Sequence, residues 1–242
     1  MLFRSLASRW VPILKAIDPV GLGSEERMRY AGALMDQGAY EQAARMLAGL
    51  DSGLARYRLA RCQWKMGDQV AARAGLEEAL RRDPGLAGRV AMTRAEMLSA
   101  EGKTDEAQKL ARQVSEGSSP AAVDALVMRI RSYLKADRDG EAAVLDRELL
   151  RRFPDSSAAD DARWRSIWRA WNVGHPEDAK VWSEALADRE GSLQAAGSFW
   201  SGRFAEDAGR MADARSWYRR AARIAPTTYY GWRARMRGQA LD

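Results

Sequence analysis

A chain of 242 residues with 46% hydrophobic and 30% charged side chains has the composition of a folded protein, and no stretch approaches the roughly 18 to 20 uninterrupted apolar residues of a membrane span. The net charge of +6 favours acidic partners, but only six of the 39 basic residues are lysines, and arginine replaces lysine throughout rather than in clusters, which marks a compositional bias before it marks a binding surface. A single cysteine, Cys62, and a single histidine, His175, exclude an internal disulfide, a cysteine metal centre and a multi-histidine zinc site, so neither metal nor cofactor is expected.

Residues 1–24 open the chain with Phe3, Leu6, Trp10, Ile13, Leu14 and Ile17 at helical spacing and Arg4, Arg9 and Lys15 among them. This pattern predicts an amphipathic helix that covers the open end of the structure behind it, kinked or divided at Pro12. A basic amphipathic helix can also lie on a membrane surface. Arg9 and Lys15 interrupt the apolar run that a secretory signal needs, so no signal peptide is read here. Gly21-Leu22-Gly23 before Ser24-Glu25-Glu26 predicts a helix start with acidic first-turn residues, not a phosphate-binding loop.

From residue 25 to 226 one spacing recurs. Ala60 is followed after 12, 7 and 5 residues by Ala72, Ala79 and Pro84, and Gly202 is followed at the same steps by Ala214, Ala221 and Pro226. Turns are predicted near Gly38, Gly67, Gly102, Asp137, Gly174 and Gly209, with successive gaps of 29, 35, 35, 37 and 35 residues. Glycine suits such turns because it reaches left-handed backbone angles without a side-chain clash. Pro84, Pro120, Pro154 and Pro226 fall between repeats, where proline stops one helix and starts the next. Small residues meet where paired helices cross (Ala31 with Ala43, Ala60 with Ala72, Ala95 with Ala107, Gly202 with Ala214), while Ile130 and Ile167 stand at that place in repeats four and five. The fold class predicted is all-α, a right-handed α-solenoid of about six antiparallel helix pairs, closed by a last helix within residues 227–242.

The spacing resembles the tetratricopeptide repeat over residues 25–226. Carrying that family's register onto this chain places Tyr57, Arg61 and Trp64 of repeat two, Arg131 and Lys135 of repeat four, Trp164, Trp168 and Trp171 of repeat five, and Phe199 and Arg203 of repeat six on the concave, ligand-facing side. Aromatic faces interleaved with guanidinium groups suit an extended peptide, or a peptidoglycan glycan strand with its acidic stems. The same stripe of Trp164, Trp168 and Trp171 at i, i+4 and i+7 is also what core packing against a neighbouring helix requires. The positions that would read one base per repeat hold Met28, Tyr57, Met92, Val127, Trp164 and Phe199, too variable and too apolar for sequence-specific nucleic-acid recognition.

A narrower series lies in the second half: Phe153-Pro154-Asp155-Ser156-Ser157, Ala162-Arg163-Trp164, Phe199-Trp200-Ser201-Gly202-Arg203 and Pro226-Thr227-Thr228-Tyr229-Tyr230-Gly231-Trp232. It resembles the helical superstructure of bacterial soluble lytic transglycosylases, in which a Tyr-Tyr-Gly helix shortly precedes a lysozyme-like catalytic domain. That family's general acid is a glutamate in a Glu-Ser pair, and no Glu-Ser dipeptide occurs here. The adjacent carboxylates Glu77/Glu78 and Asp160/Asp161 diverge by about 100° on a helix and do not form an acid–base pair. No catalytic residue is therefore expected, and the chain as it stands is not expected to cleave glycan. The resemblance implies a noncatalytic arm linked to peptidoglycan turnover, periplasmic if it holds. The alternatives are a generic tetratricopeptide adaptor for a peptide or protein partner, cytoplasmic in the absence of a signal, and a fragment of a complete transglycosylase.

Overall fold

The computed structural model describes residues 18–241. The predicted covering helix falls almost wholly on residues 1–17, outside the described residues. The described residues form thirteen α-helices and one short 3-10 helix, with no strand. They are α1 (Ser24–Asp36), α2 (Tyr40–Leu47), α3 (Gly53–Lys65), α4 (Gln69–Arg82), the 3-10 turn Pro84–Leu86, α5 (Ala87–Ala100), α6 (Thr104–Ser115), α7 (Pro120–Lys135), α8 (Asp139–Arg152), α9 (Ser157–Asn172), α10 (Pro176–Ala187), α11 (Gln194–Asp207), α12 (Met211–Ile224) and α13 (Tyr229–Ala240). The chain divides into two compact units, residues 1–125 and 126–242. In the first, α1 packs on α2, α2 on α3, α3 on α4 and α5 on α6. In the second, α9 packs on α8 and α10, α11 on α10 and α12, and α13 closes against both α11 and α12.

The helix pairs are made by one turn used six times. Gly38, Gly67, Gly102, Asp137, Gly174 and Gly209 all have positive φ, between 57° and 94°. The N–H of each following residue reaches back to a carbonyl five residues earlier, from Ala39 to Leu34, Asp68 to Gln63, Lys103 to Leu98, Arg138 to Tyr133, His175 to Ala170 and Arg210 to Ala205, at 2.8–2.9 Å. This is the Schellman closure, in which a left-handed residue lets the chain cap its own helix and reverse. Asp137, φ 57°, is the one non-glycine among the described residues with positive φ, a conformation that short polar side chains tolerate. The short first gap has a local cause: α2 is only eight residues long, and Gly49 in the left-handed region (φ 75°) ends it early.

Five residues past each turn stands an alanine, Ala43, Ala72, Ala107, Ala142, Ala179 or Ala214, each fully buried where the two helices cross. One helical turn further on, the buried position varies in chemistry: Leu47, Leu76 and Ala111 in the first unit, then Asp146, Ser183 and Tyr218 in the second. Each polar group there finds a partner. The Ser183 hydroxyl lies 2.9 Å from that of Ser201, the Tyr218 hydroxyl donates to Glu206, and the Asp146 carboxylate accepts from Arg165 and Arg169 of α9. The first-helix side of the crossing is filled by Ala31, Ala60, Ala95, Ile130, Ile167 and Gly202, all buried. Gly202 is small because a Cβ there would stand 2.7 Å from the Tyr218 ring.

Helix starts use side-chain caps where the sequence supplies them. Ser52, Asp68, Ser156 and Thr228 each accept an N–H three residues on, and Glu26 accepts the Gly23 N–H at 3.0 Å.

Candidate binding face of the second unit

Helix α9 carries Trp164, Trp168 and Trp171 on one face, and α11 and α13 answer with Phe199, Trp200, Phe204 and Tyr230. The rings form one continuous chain. Trp171 lies 5.3 Å from Phe204, Phe204 6.0 Å from Trp200, Trp200 4.6 Å from Trp168, Trp168 5.4 Å from Trp164, Trp164 6.1 Å from Tyr230 and Tyr230 5.7 Å from Phe199. The contacts among Trp164, Trp168 and Trp200 are edge-to-face, the arrangement in which the positive rim of one ring meets the negative face of the next. The indole N–H of Trp200 is buried within this set with no acceptor among the described residues.

The stripe on α9 therefore divides. Trp164 and Trp168 are half-buried among other rings, while Trp171, at the end near the Gly174 turn, is 40% exposed. Trp171 and Phe204 wall a cavity of about 480 Å³ together with Gly174, Pro176, Ala208, Glu177 and Asp207. Its interior is apolar and its two ionisable groups are carboxylates. Asp207 has Arg203 at 3.4 Å, and Lys180 stands 4.0 Å from Glu177.

The remaining sequence-predicted residues are distributed differently. Phe199 is buried, touching Trp200, Tyr218 and Tyr230, so it belongs to the core of the α11–α13 corner and not to an open surface. Arg131 and Lys135 are exposed on α7. In the first unit Tyr57 is also buried, its hydroxyl 3.0 Å from Thr93, and forms the floor of a cavity of about 400 Å³ with Arg58, Arg61, Arg89, Met92 and Asp124. Arg61 is half-buried there, its Nε without an acceptor. Trp64 packs its ring against the α3–α4–α5 core and carries the Lys65 ammonium 3.9 Å above its centroid.

Sequence reasoning missed Trp200 and Phe204. Their i, i+4 spacing on α11 was the available signal, one residue out of step with the repeat register that selected Phe199 and Arg203. It also missed the arginine pair around Asp146.

The titratable side chains that the sequence singles out are placed as follows. Glu78 is held below the usual carboxylate range by its hydrogen bond with Arg82, and Asp160 is engaged by Arg163 and Arg189. Burial pushes the Cys62 thiol up to about 11, away from the thiolate a nucleophile needs. His175 is exposed in its turn, 3.7 Å from Asp178. Among the described residues no helix is long and apolar enough to cross a membrane.

Comparison with known proteins bears on the fold. A tetratricopeptide repeat model matches residues 93–157 and 166–227, and a second one matches residues 54–85. Among solved structures the chain is similar to pilF of Pseudomonas aeruginosa, at 15% identity and a TM-score of 0.54, covering 88% of this chain and 97% of that one. It is similar also to PilW, described as a widely conserved type IV pilus biogenesis factor, at 16% identity and a TM-score of 0.50, covering 87% of this chain and 97% of that one. Likeness at such identity speaks for the fold alone. Comparison with curated proteins by sequence finds no match. With more than half of its 242 residues matched by the repeat model and six turns of one geometry joining its helix pairs, the chain belongs to the tetratricopeptide repeat family.

Proposed function

We propose that the chain is a noncatalytic adaptor that holds a peptide or protein segment against the aromatic face of α9, α11 and α13. Trp171 carries this reading. An indole left 40% exposed beside Phe204, walling an apolar cavity, is surface that an apolar side chain of a partner would remove from water at about 25 cal/mol per Å². Tryptophan in this setting is the residue type that most often anchors an interface. Glu177 and Asp207 at the same cavity favour a partner with a lysine or arginine next to its apolar anchor. The finer reading, a peptidoglycan-guiding arm of a transglycosylase, rests on the Tyr-Tyr-Gly and Trp-x-Gly-Arg motifs. Both glycines have packing roles, Gly231 against Ala225 and Gly202 under Tyr218, so the motifs do not require a glycan to explain them.

The test is a selection of displayed random peptides on the full chain, followed by Trp171→Ala. Selected peptides should place an aromatic or aliphatic residue beside a basic one, and Trp171→Ala should weaken them by roughly thirtyfold, the scale of a hot-spot side chain. The melting temperature should stay close to that of the parent, because Trp171 lies at the rim. Trp168→Ala, by contrast, removes a ring from the middle of the set and should cost about 3 kcal/mol of stability. Binders indifferent to Trp171→Ala, or selective binding of glycan strands, would reject the peptide reading.

A further inference from the structure

Although arginine is spread along the chain, net charge is not. Residues 210–242 hold eight arginines against Asp213 and Asp242, a net charge of +6, and residues 1–209 hold 31 basic and 31 acidic side chains. The excess of positive charge in the sequence thus falls on α12, α13 and the segments flanking them, where Arg220 and Arg237 are paired with Asp188, at the end of α10, and Glu206 of α11. Arg215, Arg219, Arg220 and Arg223 line an open depression of about 640 Å³ on α12, with only Ala212 and Ser216 between them. Arg215 donates to the Leu241 carbonyl, which fixes its guanidinium group at the corner where α12 meets the end of α13, while Arg220 is held at the C-terminal end of α10 by Asp188 and the Ala187 carbonyl.

Helix α13 adds the opposite chemistry. Its inner face is Gly231 and Ala234, both buried. On its outer face Tyr229, Trp232 and Met236, at i, i+3 and i+7, are 63%, 52% and 52% exposed, with exposed Arg235 among them. An apolar stripe of this size left in water, interleaved with arginine, matches the layered chemistry of an anionic lipid interface. Tyrosine and tryptophan favour the headgroup level of a bilayer, methionine the boundary of the acyl chains, and arginine reaches back from there to phosphate. A nucleic acid would use the arginines and could stack on Trp232 and Tyr229, but it would leave Met236 without a partner.

We propose that the α12–α13 corner docks on an anionic lipid surface, with the stripe of Tyr229, Trp232 and Met236 at the interface and the arginines on lipid phosphates. This surface shares no residue with the Trp171–Phe204 cavity, meets the aromatic face where Tyr229 touches Tyr230, and does not depend on the peptide reading.

Cosedimentation of the full chain with vesicles tests it, using phosphatidylcholine alone and an equimolar mixture of phosphatidylcholine and phosphatidylglycerol. Binding should appear only with the anionic vesicles and weaken as salt is raised. Arg223→Glu and Arg235→Glu should each weaken it by more than about fivefold, since removing one charge near such a surface already has that effect. Trp232→Ser should weaken it at every salt concentration, and Arg45→Glu, the same charge change on α2, should leave it unaltered. Each variant changes an exposed side chain, and equal melting temperatures would confirm that the fold is intact. Failure to bind anionic vesicles, equal binding to neutral ones, an effect of Arg45→Glu as large as that of Arg223→Glu, or tighter binding to a single-stranded polynucleotide than to vesicles would overturn the proposal. So would a dimer that Trp232→Ser dissociates, because the stripe would then be covered by a second copy.

Discussion

Replacing Asp146 with alanine should lower the stability of the second unit by about 3 kcal/mol, a loss on the scale of truncating a buried leucine although the residue removed is a carboxylate. Asp146 occupies the buried crossing position that Leu47 and Leu76 fill in the first unit, and only 1% of its side chain is exposed. Its oxygens accept from Arg165 Nε at 3.0 Å, from Arg165 Nη2 and from Arg169 Nη1. Removing the carboxylate leaves two guanidinium groups facing a cavity. Arg169 retains Asp139, but Arg165 has no other carboxylate among the ion pairs of the described residues. The arginines keep 26% and 21% of their side-chain exposure, so water relieves part of the penalty, and the lower end of the range for broken buried pairs applies. Because seven of the nine tryptophans follow residue 160, urea unfolding followed by tryptophan fluorescence reads this unit directly. Asp146→Leu combined with Arg165→Leu should recover most of the loss, since an apolar pair restores the chemistry of the first unit at that position. An Asp146→Ala variant within about 1 kcal/mol of the parent would mean that the triad contributes little.

The same cluster sets an acid limit. The hydrogen bond from Arg169 holds the Asp139 carboxyl below the usual range, aided by the charges of Arg169 and Arg165. A carboxyl depressed in the folded state contributes stability that is fully present above its unfolded pKa and is lost as pH falls through the folded one. Thermal melts should therefore hold steady near neutrality and decline below about pH 4, and Asp139→Asn should flatten that decline.

What could be read in the sequence was whatever depends on the backbone. The six turns follow from five glycines and one aspartate, because the left-handed conformation excludes most other residues, and the alanines at the crossings follow because two helix backbones approach there. Ile130 and Ile167, which break the small-residue pattern, are nevertheless buried at the same place, so the repeat tolerates volume on one side of the crossing when its partner side chain allows it. The candidate site was less legible for a related reason. The repeat register fixes which positions of α9 and α11 face the same way, but not which ring fills the space. Phe199 stands in register and is buried; Trp200, one residue on, meets Trp168 because a large indole reaches across from a neighbouring ridge. The Asp146 triad was invisible to spacing altogether, since a carboxylate at a core position reads as surface until the two arginines that neutralise it are known to be in reach.

Gly231→Ala offers the sharpest contrast between sequence propensity and structure. Within a helix, alanine is normally preferred to glycine by roughly 0.5–1 kcal/mol, so propensity alone makes this substitution stabilising. Gly140 is a fair control: it lies in the first turn of α8, a Cβ there would meet nothing within 4 Å, and Gly140→Ala should stabilise by that amount. At Gly231 a Cβ would stand 1.9 Å from the Ala225 carbonyl oxygen and 2.7 Å from its carbon, both backbone atoms that cannot turn aside. The chain must double back tightly from α12 through Pro226 and the Thr228 cap for Tyr230 to reach Phe199 and Trp164, and only a residue without a side chain permits that approach. Gly231→Ala should therefore destabilise by about 3 kcal/mol, the upper end of the range for overpacking. The loss should be local. Hydrogen exchange should show α13 amides opening while those of α9 and α10 keep their protection, because in a repeat array each helix pair leans chiefly on its neighbours. If Gly231→Ala instead stabilises as Gly140→Ala does, the close approach at Ala225 is not a feature of the folded chain, and the Tyr-Tyr-Gly sequence would need another explanation, with ligand binding the first to examine.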